Sequence, residues 1–113
     1  MTTYQSGLFA EFLARWHLRL RGFHILDSRY ISGRHTNRAE IDIIARRGNL
    51  VIFVEVKNRP SVEAAFEAIG YAQAGRLRRA AETWLMRKQW RGDARFDVIV
   101  VSRLRVRWFK NAI

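Results

Sequence analysis

The sequence predicts an α/β domain, because strand-like runs alternate with helical segments in a single short chain. The runs Glu40 to Ala45 and Leu50 to Lys57 are separated by the polar stretch 46–49, which is typical of a β-hairpin. The run Phe96 to Val101 is apolar apart from one acid, as in a strand covered on both faces. At 113 residues, 49% of them hydrophobic, the chain suffices for one core, so residues 1–113 are expected to form a single domain.

An amphipathic helix is predicted at the start of the chain, from Gly7 to about Leu20. Gly22 is expected to end it, because glycine readily adopts the left-handed conformation that follows many helices. The segment Phe23 to Ile31 then alternates loosely, as a strand does, and the polar segment Ser32 to Arg38 is expected to form a loop. The apolar residues that recur at helical spacing on one side of the helix are Phe9, Phe12, Leu13, Trp16 and Leu20.

A long helical region is predicted after the hairpin, ending near Lys88. It follows Pro60, which cannot continue a central strand, and Ser61, whose hydroxyl can cap the first turn of a helix. Gly70 and Gly75 are the points at which this helix is expected to be weakest. After the apolar strand, a short basic and aromatic tail closes the sequence. The predicted apolar stripe of the helix consists of Phe66, Ile69, Leu77, Ala80 and Trp84.

The net charge of +11 favours a polyanionic partner, and nucleic acid is the partner expected. Three of the 21 basic residues are lysines, which leaves 18 arginines, whose planar groups make paired hydrogen bonds to phosphate. A generally basic surface is the alternative, and for the arginines of the long helix a solvated face explains them equally well. The candidate phosphate contacts are Arg46 and Arg47 at the hairpin turn, Arg59 after the second strand, and Arg76 and Arg79 on the helix.

The sequence contains no cysteine, no run of 18 or more apolar residues and no pattern of a secretory leader. From these observations we expect a cytoplasmic protein without a membrane partner. Its apolar content is also too high for a disordered chain.

Three acidic residues, Glu40, Asp42 and Glu55, lie within the hairpin strands instead of in the turn. Ionised groups inside apolar strands are costly unless they are paired. Because side chains alternate faces along a strand, Glu55 and Lys57 are neighbours on one face, roughly 7 Å apart. Antiparallel pairing can bring the face that carries Asp42 beside Glu55. The sequence therefore predicts two carboxylates next to one ammonium group.

Two interpretations of this cluster stay open. In the first, Asp42 and Glu55 bind Mg²⁺ or Mn²⁺, whose preferred ligands are oxygens, while Lys57 positions a water and offsets charge on a phosphate. In the second, Glu55 and Lys57 form a half-buried ion pair with Asp42 as a further partner. The spacing alone favours the ion pair slightly, because a motif of two acids and one lysine is short and degenerate.

Four segments of the chain together resemble the YraN-like family of predicted endonucleases. They are Ala39–Ala45 (AEIDIIA), Val51–Arg59 (VIFVEVKNR), Arg76–Ala81 (RLRRAA) and Arg95–Val100 (RFDVIV), in the family's order and at its spacing. The resemblance implies a restriction-endonuclease-like core of the PD-(D/E)XK type, with a mixed four- to five-stranded sheet flanked by helices. It also implies a metal-dependent endonuclease that hydrolyses phosphodiester bonds of nucleic acid, with structure-selective cleavage of DNA.

The resemblance assigns roles to particular residues. The acidic motif of such nucleases falls on Asp42, and their E-x-K motif falls on Glu55, Val56 and Lys57. The Val56 carbonyl is then an additional metal ligand. The helical acid of these enzymes falls on Glu11, for which a solvated acid on the flank of the helix is the alternative.

Two positions depart from the family's pattern. Ala39 replaces the glycine that usually precedes the acidic pair, which alters only the turn. Gln73 replaces a lysine that is usual in close relatives. Because it lies on the apolar stripe of the long helix, Gln73 is expected to point inward, towards the site; a tolerated polar residue is the alternative of equal weight.

Other classes of function stay open beside the nuclease. One is a non-catalytic nucleic-acid-binding module that keeps the fold without turnover, and another is an RNA-associated protein with a basic surface. A domain of this size can also form a homodimer to act on both strands of a duplex. The tail residues Trp108 and Phe109 either provide the surface for it or complete the core.

Overall fold

The computed structural model describes residues 2–33 and 38–113. Within them, three helices and five strands follow one another along the chain. The loop predicted from Ser32 to Arg38 lies mostly at positions 34–37, outside the described residues. The elements are α1 (Thr3–Arg19), β1 (His24–Ser32), β2 (Ala39–Arg47), β3 (Leu50–Asn58), α2 (Val62–Ile69), α3 (Tyr71–Lys88), β4 (Asp93–Ser102) and β5 (Arg105–Phe109).

The strands of the described chain form one mixed five-stranded sheet in the order β1-β2-β3-β4-β5. Neighbouring strands are antiparallel except β3 and β4, which are parallel. The predicted hairpin is confirmed, since β2 and β3 pair across a turn in which Gly48 has a φ of 59°. The parallel step from β3 to β4 requires a crossover connection, which α2 and α3 supply.

Helices cover the sheet on both faces, which explains why its central strands are apolar on both sides. On one face, under α2 and α3, Phe53 of β3 contacts Trp84 of α3 edge to face, with ring centroids 5.6 Å apart. On the other face, Leu18 of α1 packs in a cluster with Ile52 and Val54 of β3. The apolar run predicted as a strand at Phe96 to Val101 is confirmed as the buried part of β4.

The helix predicted at the start of the chain is confirmed in type, but the prediction of its buried side was wrong. Ala10, Ala14 and Leu18 form the buried side of α1, whereas Phe12 and Trp16 of the predicted stripe are 46% and 47% exposed. Small side chains let the helix backbone approach the sheet closely, and the periodicity of the large residues does not reveal this. Of the predicted stripe, Leu13 packs partly against the core, while Phe9, Phe12, Trp16 and Leu20 face away from it.

The ends of the helices follow the predicted signals. Gly22, just after α1, has a φ of 88°, and the Ser61 side chain caps α2 by accepting a 3.1 Å hydrogen bond from the Ala64 N–H. Of the two predicted weak points, Gly70 separates α2 from α3 with a φ of 67°, while Gly75 lies within α3. None of the helices in residues 2–33 and 38–113 combines the length and the apolar character needed to cross a bilayer.

The basic and aromatic tail contains β5, a strand that the sequence did not predict. It pairs with β4 across a turn in which Arg103 and Leu104 have φ values of 49° and 69°. Turns with positive φ at both central positions usually carry asparagine or glycine, so the ordinary sequence signal is missing here. Trp108 and Phe109 of this strand are partly buried against the two sides of the core, and of the two options for the tail the structure shows core packing.

Candidate active site

The site lies where the sheet separates between β2 and β3. Pairing of these strands ends at Ile43 and Val54, although β2 stays paired with β1, and β3 with β4, beyond this point. The side chain of Asp42 takes the place of a strand partner there, because its Oδ2 accepts a 2.8 Å hydrogen bond from the Val56 backbone N–H. The gap exposes side chains that a continuous ladder would cover.

An irregularity in β2 accompanies this separation. Ile41 and Ile43 are two residues apart and should share a face, yet Ile41 packs on the α3 side of the core and Ile43 on the α1 side. The alternation of β2 is thus interrupted at Asp42. On β1, Arg29 has a φ of 58°, a conformation that costs a residue other than glycine about 1–3 kcal/mol. Both departures from regular strand geometry lie beside the gap.

A cavity of about 600 Å³ occupies the gap. Its walls are the first half of α1, the separated ends of β2 and β3, and the start of α3. The residues that the sequence analysis singled out as catalytic or metal-binding all line this cavity, although they come from four different elements. They are Glu11, Asp42, Glu55, Val56, Lys57 and Gln73.

Glu55 is the most perturbed group in the cavity. It is only 4% exposed, and burial raises the pKa of Glu55 to about 10. Its hydrogen bond with Asp42 and the negative charges of Asp42 and Glu40 act in the same direction, whereas the charge of Lys57 opposes them. At neutral pH, without a cation, the Glu55 carboxyl group is therefore protonated in the folded chain.

The structure does not show the ion pair that was the alternative interpretation. In the described part of the chain, no salt bridge joins Lys57 to Glu55 or to Asp42. Lys57 is half-buried and lines the cavity beside the two carboxyl groups. Its ammonium group is thus available to a ligand in the cavity.

Glu11 is held by a residue that the sequence did not single out. Arg29 Nε lies 3.1 Å from Glu11 Oε1, and the two side chains form a salt bridge. Burial raises the pKa of Glu11, and the hydrogen bond from Arg29 opposes that shift. Nothing in the sequence separates Arg29 from the other arginines. Its position next to the point where β2 changes face becomes evident only once the strands are paired.

The donor set fits a hard divalent cation by its chemistry. Mg²⁺ is commonly bound by one or two carboxylates, with water and phosphate completing the shell. Among residues 2–33 and 38–113, no three His, Cys, Asp or Glu side chains form a metal-binding group, so Asp42 and Glu55 need further oxygens from the backbone, water or substrate. A bound cation would also stabilise the ionised form of Glu55, which burial otherwise disfavours.

The five candidate phosphate contacts divide by position. Arg59 and Arg76 line the cavity, and Arg79 is exposed on α3 outside it. Arg46 and Arg47 are at the opposite end of the hairpin, where their guanidinium groups lie 4.7 Å and 4.5 Å from the ring centroids of aromatic residues. The aromatic partners are Trp90 and Phe23, respectively.

The comparisons with known proteins all point to one family, and the names of the matched proteins state no activity. The family model described as "Uncharacterised protein family UPF0102" matches residues 10–101. A UPF0102 protein of Bartonella tribocorum is 42% identical over 111 residues, covering 96% of this chain and 81% of the relative. One of Mesorhizobium japonicum is 45% identical over 100 residues, covering 87% and 77%. The matched region includes every strand residue that lines the cavity.

Proposed function

Because this chain belongs to the UPF0102 family, whose name states no activity, we propose its function from the chemistry of the cavity. It is a metal-dependent endonuclease that hydrolyses phosphodiester bonds of nucleic acid, with structure-selective cleavage of DNA. The observation that carries the proposal is that the carboxyl groups of Asp42 and Glu55, which are hydrogen-bonded to each other, lie beside Lys57 in a cavity of about 600 Å³. The net charge of +11 supports a polyanionic substrate.

Asp42 and Glu55 would hold the cation, Mg²⁺ or Mn²⁺, with the Val56 carbonyl as a further oxygen ligand. When bound, such a cation polarises a phosphoryl oxygen and favours ionisation of a water. The Val56 N–H fixes the orientation of the Asp42 carboxylate through the 2.8 Å hydrogen bond. Burial of Glu55 keeps its carboxyl group from rotating freely into solvent.

The remaining cavity residues act on the substrate. The Lys57 ammonium group holds the attacking water and offsets negative charge on the phosphate in the transition state. Gln73 of α3 orients the same water through its side-chain amide. Glu11, positioned by Arg29, accepts a proton, or a hydrogen bond from a water, on the α1 side of the cavity.

The restriction-endonuclease-like fold is part of this proposal. A mixed sheet with helices on both faces, and with the acidic residues on two adjacent strands where these separate, supports it. Arg59 and Arg76 line the same cavity and can bind flanking phosphates through their planar groups. Nothing in the cavity marks recognition of particular bases, so shape and backbone are the expected determinants of substrate choice.

Cleavage is tested with the purified chain on branched, flapped and linear DNA and on matched RNA, in Mg²⁺, in Mn²⁺ and with a chelator. We expect cleavage only with metal, and Lys57→Ala is expected to lower its rate about a hundredfold, as loss of a positioned catalytic group does. Lys88→Ala removes the same charge from an exposed position at the end of α3 and is the matched control. If Lys57→Ala and Lys88→Ala lower the cleavage rate equally, a role for Lys57 in the reaction is contradicted.

Metal binding is tested separately by calorimetric titration with Mn²⁺. Asp42→Asn is expected to weaken binding at least about tenfold, because the neutral amide is a poorer ligand than a carboxylate. Asp27→Asn, at an exposed position of β1, is the matched control and should bind as the wild type does. A wild-type protein that binds DNA, takes up no Mn²⁺ and cuts no substrate is a non-catalytic binding module, and the nuclease proposal then fails.

A further inference from the structure

The solvent side of α1 carries a continuous apolar stripe. Phe12 and Trp16 are 46% and 47% exposed, and Phe9 stacks beside Phe12 with ring centroids 6.2 Å apart. The centre of the stripe is opposite the buried side of the helix, and only Tyr4, at its edge, contacts another element of the described chain, through Arg29 of β1. Its members, one at every fourth position, are Tyr4, Leu8, Phe12, Trp16 and Leu20.

The stripe is as large as the largest apolar patches of monomeric proteins. Together with Phe9 these side chains expose roughly 600 Å², given that an aromatic side chain contributes about 150–250 Å² when fully accessible. The largest apolar patch on a typical monomer covers about 300–600 Å², and a stable complex buries about 800 Å² on each partner. One helix face of this chain thus comes close to a whole interface.

The order of residues in the stripe is suited to pairing with itself. It is centred on Phe12, so a second α1 placed antiparallel about a two-fold axis at Phe12 sets Leu8 opposite Trp16 and Tyr4 opposite Leu20. A small side chain then faces a large one in both outer pairs.

The basic residues of α1 do not oppose this arrangement at close range. With a rise of about 1.5 Å per residue, the two copies of Arg15 would be about 9 Å apart along the axis, and the two copies of Arg19 about 21 Å apart. The Arg19 guanidinium group already lies 5.3 Å from the ring centroid of Trp16 on its own helix. Salt at physiological strength screens charges beyond about 8 Å, so repulsion between these pairs is weak.

The edge of the sheet at β1 is a poorer surface for self-association. β1 pairs only with β2 in the described chain, but its register shifts between Ile25 and Asp27, and Arg29 has a positive φ. Such irregularities prevent the regular pairing of one edge strand with another. The helix face, by contrast, is regular along the whole of α1.

We propose that α1 is a self-association surface, on which this chain forms a two-fold symmetric dimer with α1 packed antiparallel on α1 around Phe12. The proposal does not depend on the activity of the cavity, because no residue of the stripe lines the cavity. In this dimer the bulky exposed residues of α1 pack against the α1 helix of a second copy of the same chain. Thr3, Ser6 and Glu11 remain free to line the cavity.

Sedimentation of the full chain from nanomolar to high micromolar concentration tests the proposal. We expect a dimer that dissociates in about the micromolar range, and Phe12→Arg, which places two like charges face to face at the axis, should weaken it at least about 30-fold. Tyr71→Arg is the matched control, because Tyr71 is 96% exposed on α3, outside the stripe. A wild type that stays monomeric throughout, or a dimer that Phe12→Arg leaves intact, overturns the proposal.

Cross-linking gives a second test that does not depend on the folding of Phe12→Arg. The chain has no cysteine, so Phe12→Cys introduces a single thiol at the proposed axis, and mild oxidation should convert most of the protein to a covalent dimer. Tyr71→Cys should cross-link at least about tenfold more slowly, as expected for random collision. Equal rates in the two variants contradict the α1 interface.

Salt separates this proposal from base stacking, the other use of exposed aromatic residues. A dimer of two chains of charge +11 should tighten when NaCl is raised from 0.1 to 0.5 M, whereas binding of a single-stranded oligonucleotide weakens. A monomeric wild type whose oligonucleotide affinity falls in Phe12→Ala assigns the stripe to nucleic acid and overturns the dimer.

Discussion

Glu55→Gln is expected to lower metal-dependent cleavage roughly a thousandfold while making the protein more stable at neutral and alkaline pH. The amide has the shape of a protonated carboxyl group and can still donate a hydrogen bond to Asp42. It cannot supply the negative charge that a divalent cation requires, and the several kcal/mol that the cation contributes to the transition state are lost. Glu55 thus serves the proposed activity at a cost to the stability of the fold.

The expected gain in stability of Glu55→Gln follows from the direction in which the pKa of Glu55 is shifted. Burial raises the pKa of Glu55 to about 10, from an ordinary value of 4.5. Between these values the unfolded chain releases the proton while the folded chain retains it. The unfolding free energy of the wild type therefore falls as pH rises, by up to about 1.4 kcal/mol per pH unit. Below pH 4.5 the contribution of the protonated group is fully present, and near pH 10 it is lost.

Urea unfolding between pH 5 and pH 9, with a chelator present, measures this difference. Wild type and Glu55→Gln should have similar stabilities at pH 5, and their difference should grow in favour of the variant at higher pH. Glu82→Gln, at an exposed position of α3, is the control and should follow the wild type. Parallel curves for wild type and Glu55→Gln would falsify the raised pKa of Glu55 in the folded chain.

The hairpin and the acids of the site could be predicted because their signals are local. The polar turn 46–49 between two apolar runs fixes the antiparallel pair, and the period of two along a strand brings Glu55 and Lys57 to one side. Charged residues inside apolar strands are conspicuous in any sequence. The cavity that joins them to Glu11 and Gln73 needs the helices in place, and its residues span four elements.

Three features escaped prediction for a common physical reason: each depends on contacts between distant segments. The buried side of α1 is set by how closely Ala10 and Ala14 approach the sheet, which the bulky residues conceal. Arg29 becomes part of the site only through its pairing beside Asp42 and its contact with Glu11. β5 follows a turn without glycine or asparagine, and it is stabilised by packing on β4 instead of by local preference.

Asp97 was visible in the sequence only as an interruption of an apolar run, yet it organises the last third of the sheet. Its carboxylate is 0% exposed and accepts four hydrogen bonds. Two come from Arg95, at 2.8 Å and 2.9 Å, one from Trp108 Nε1 at 2.8 Å, and one from the Asn111 N–H at 2.8 Å. These bonds join β4 to β5 and to the residues that follow it.

Asp97→Ala is expected to cost about 3–5 kcal/mol of unfolding free energy, because it leaves the partly buried guanidinium group of Arg95 without its buried carboxylate and the N–H donors of Trp108 and Asn111 without their acceptor. The total unfolding free energy of domains of this kind is about 5–15 kcal/mol, so the variant should be close to unfolding at 37 °C. Asp97→Asn keeps one acceptor oxygen and should therefore lose less unfolding free energy than Asp97→Ala. The urea concentrations at the unfolding midpoints rank the stabilities of these variants, and Asp93→Ala, at the exposed start of β4, is the control.

The same variants separate stability from activity. Val54 of β3 pairs with Asp97 in the parallel ladder, one step from the pair of Glu55 and Val98, so β4 supports the strand that carries the buried acid. If Asp97 acts only through that support, Asp97→Asn should retain near wild-type cleavage at 15 °C and lose it on warming as the fold melts. Cleavage that is already lost at 15 °C in a folded variant contradicts a purely structural role, since Asp97 does not line the cavity.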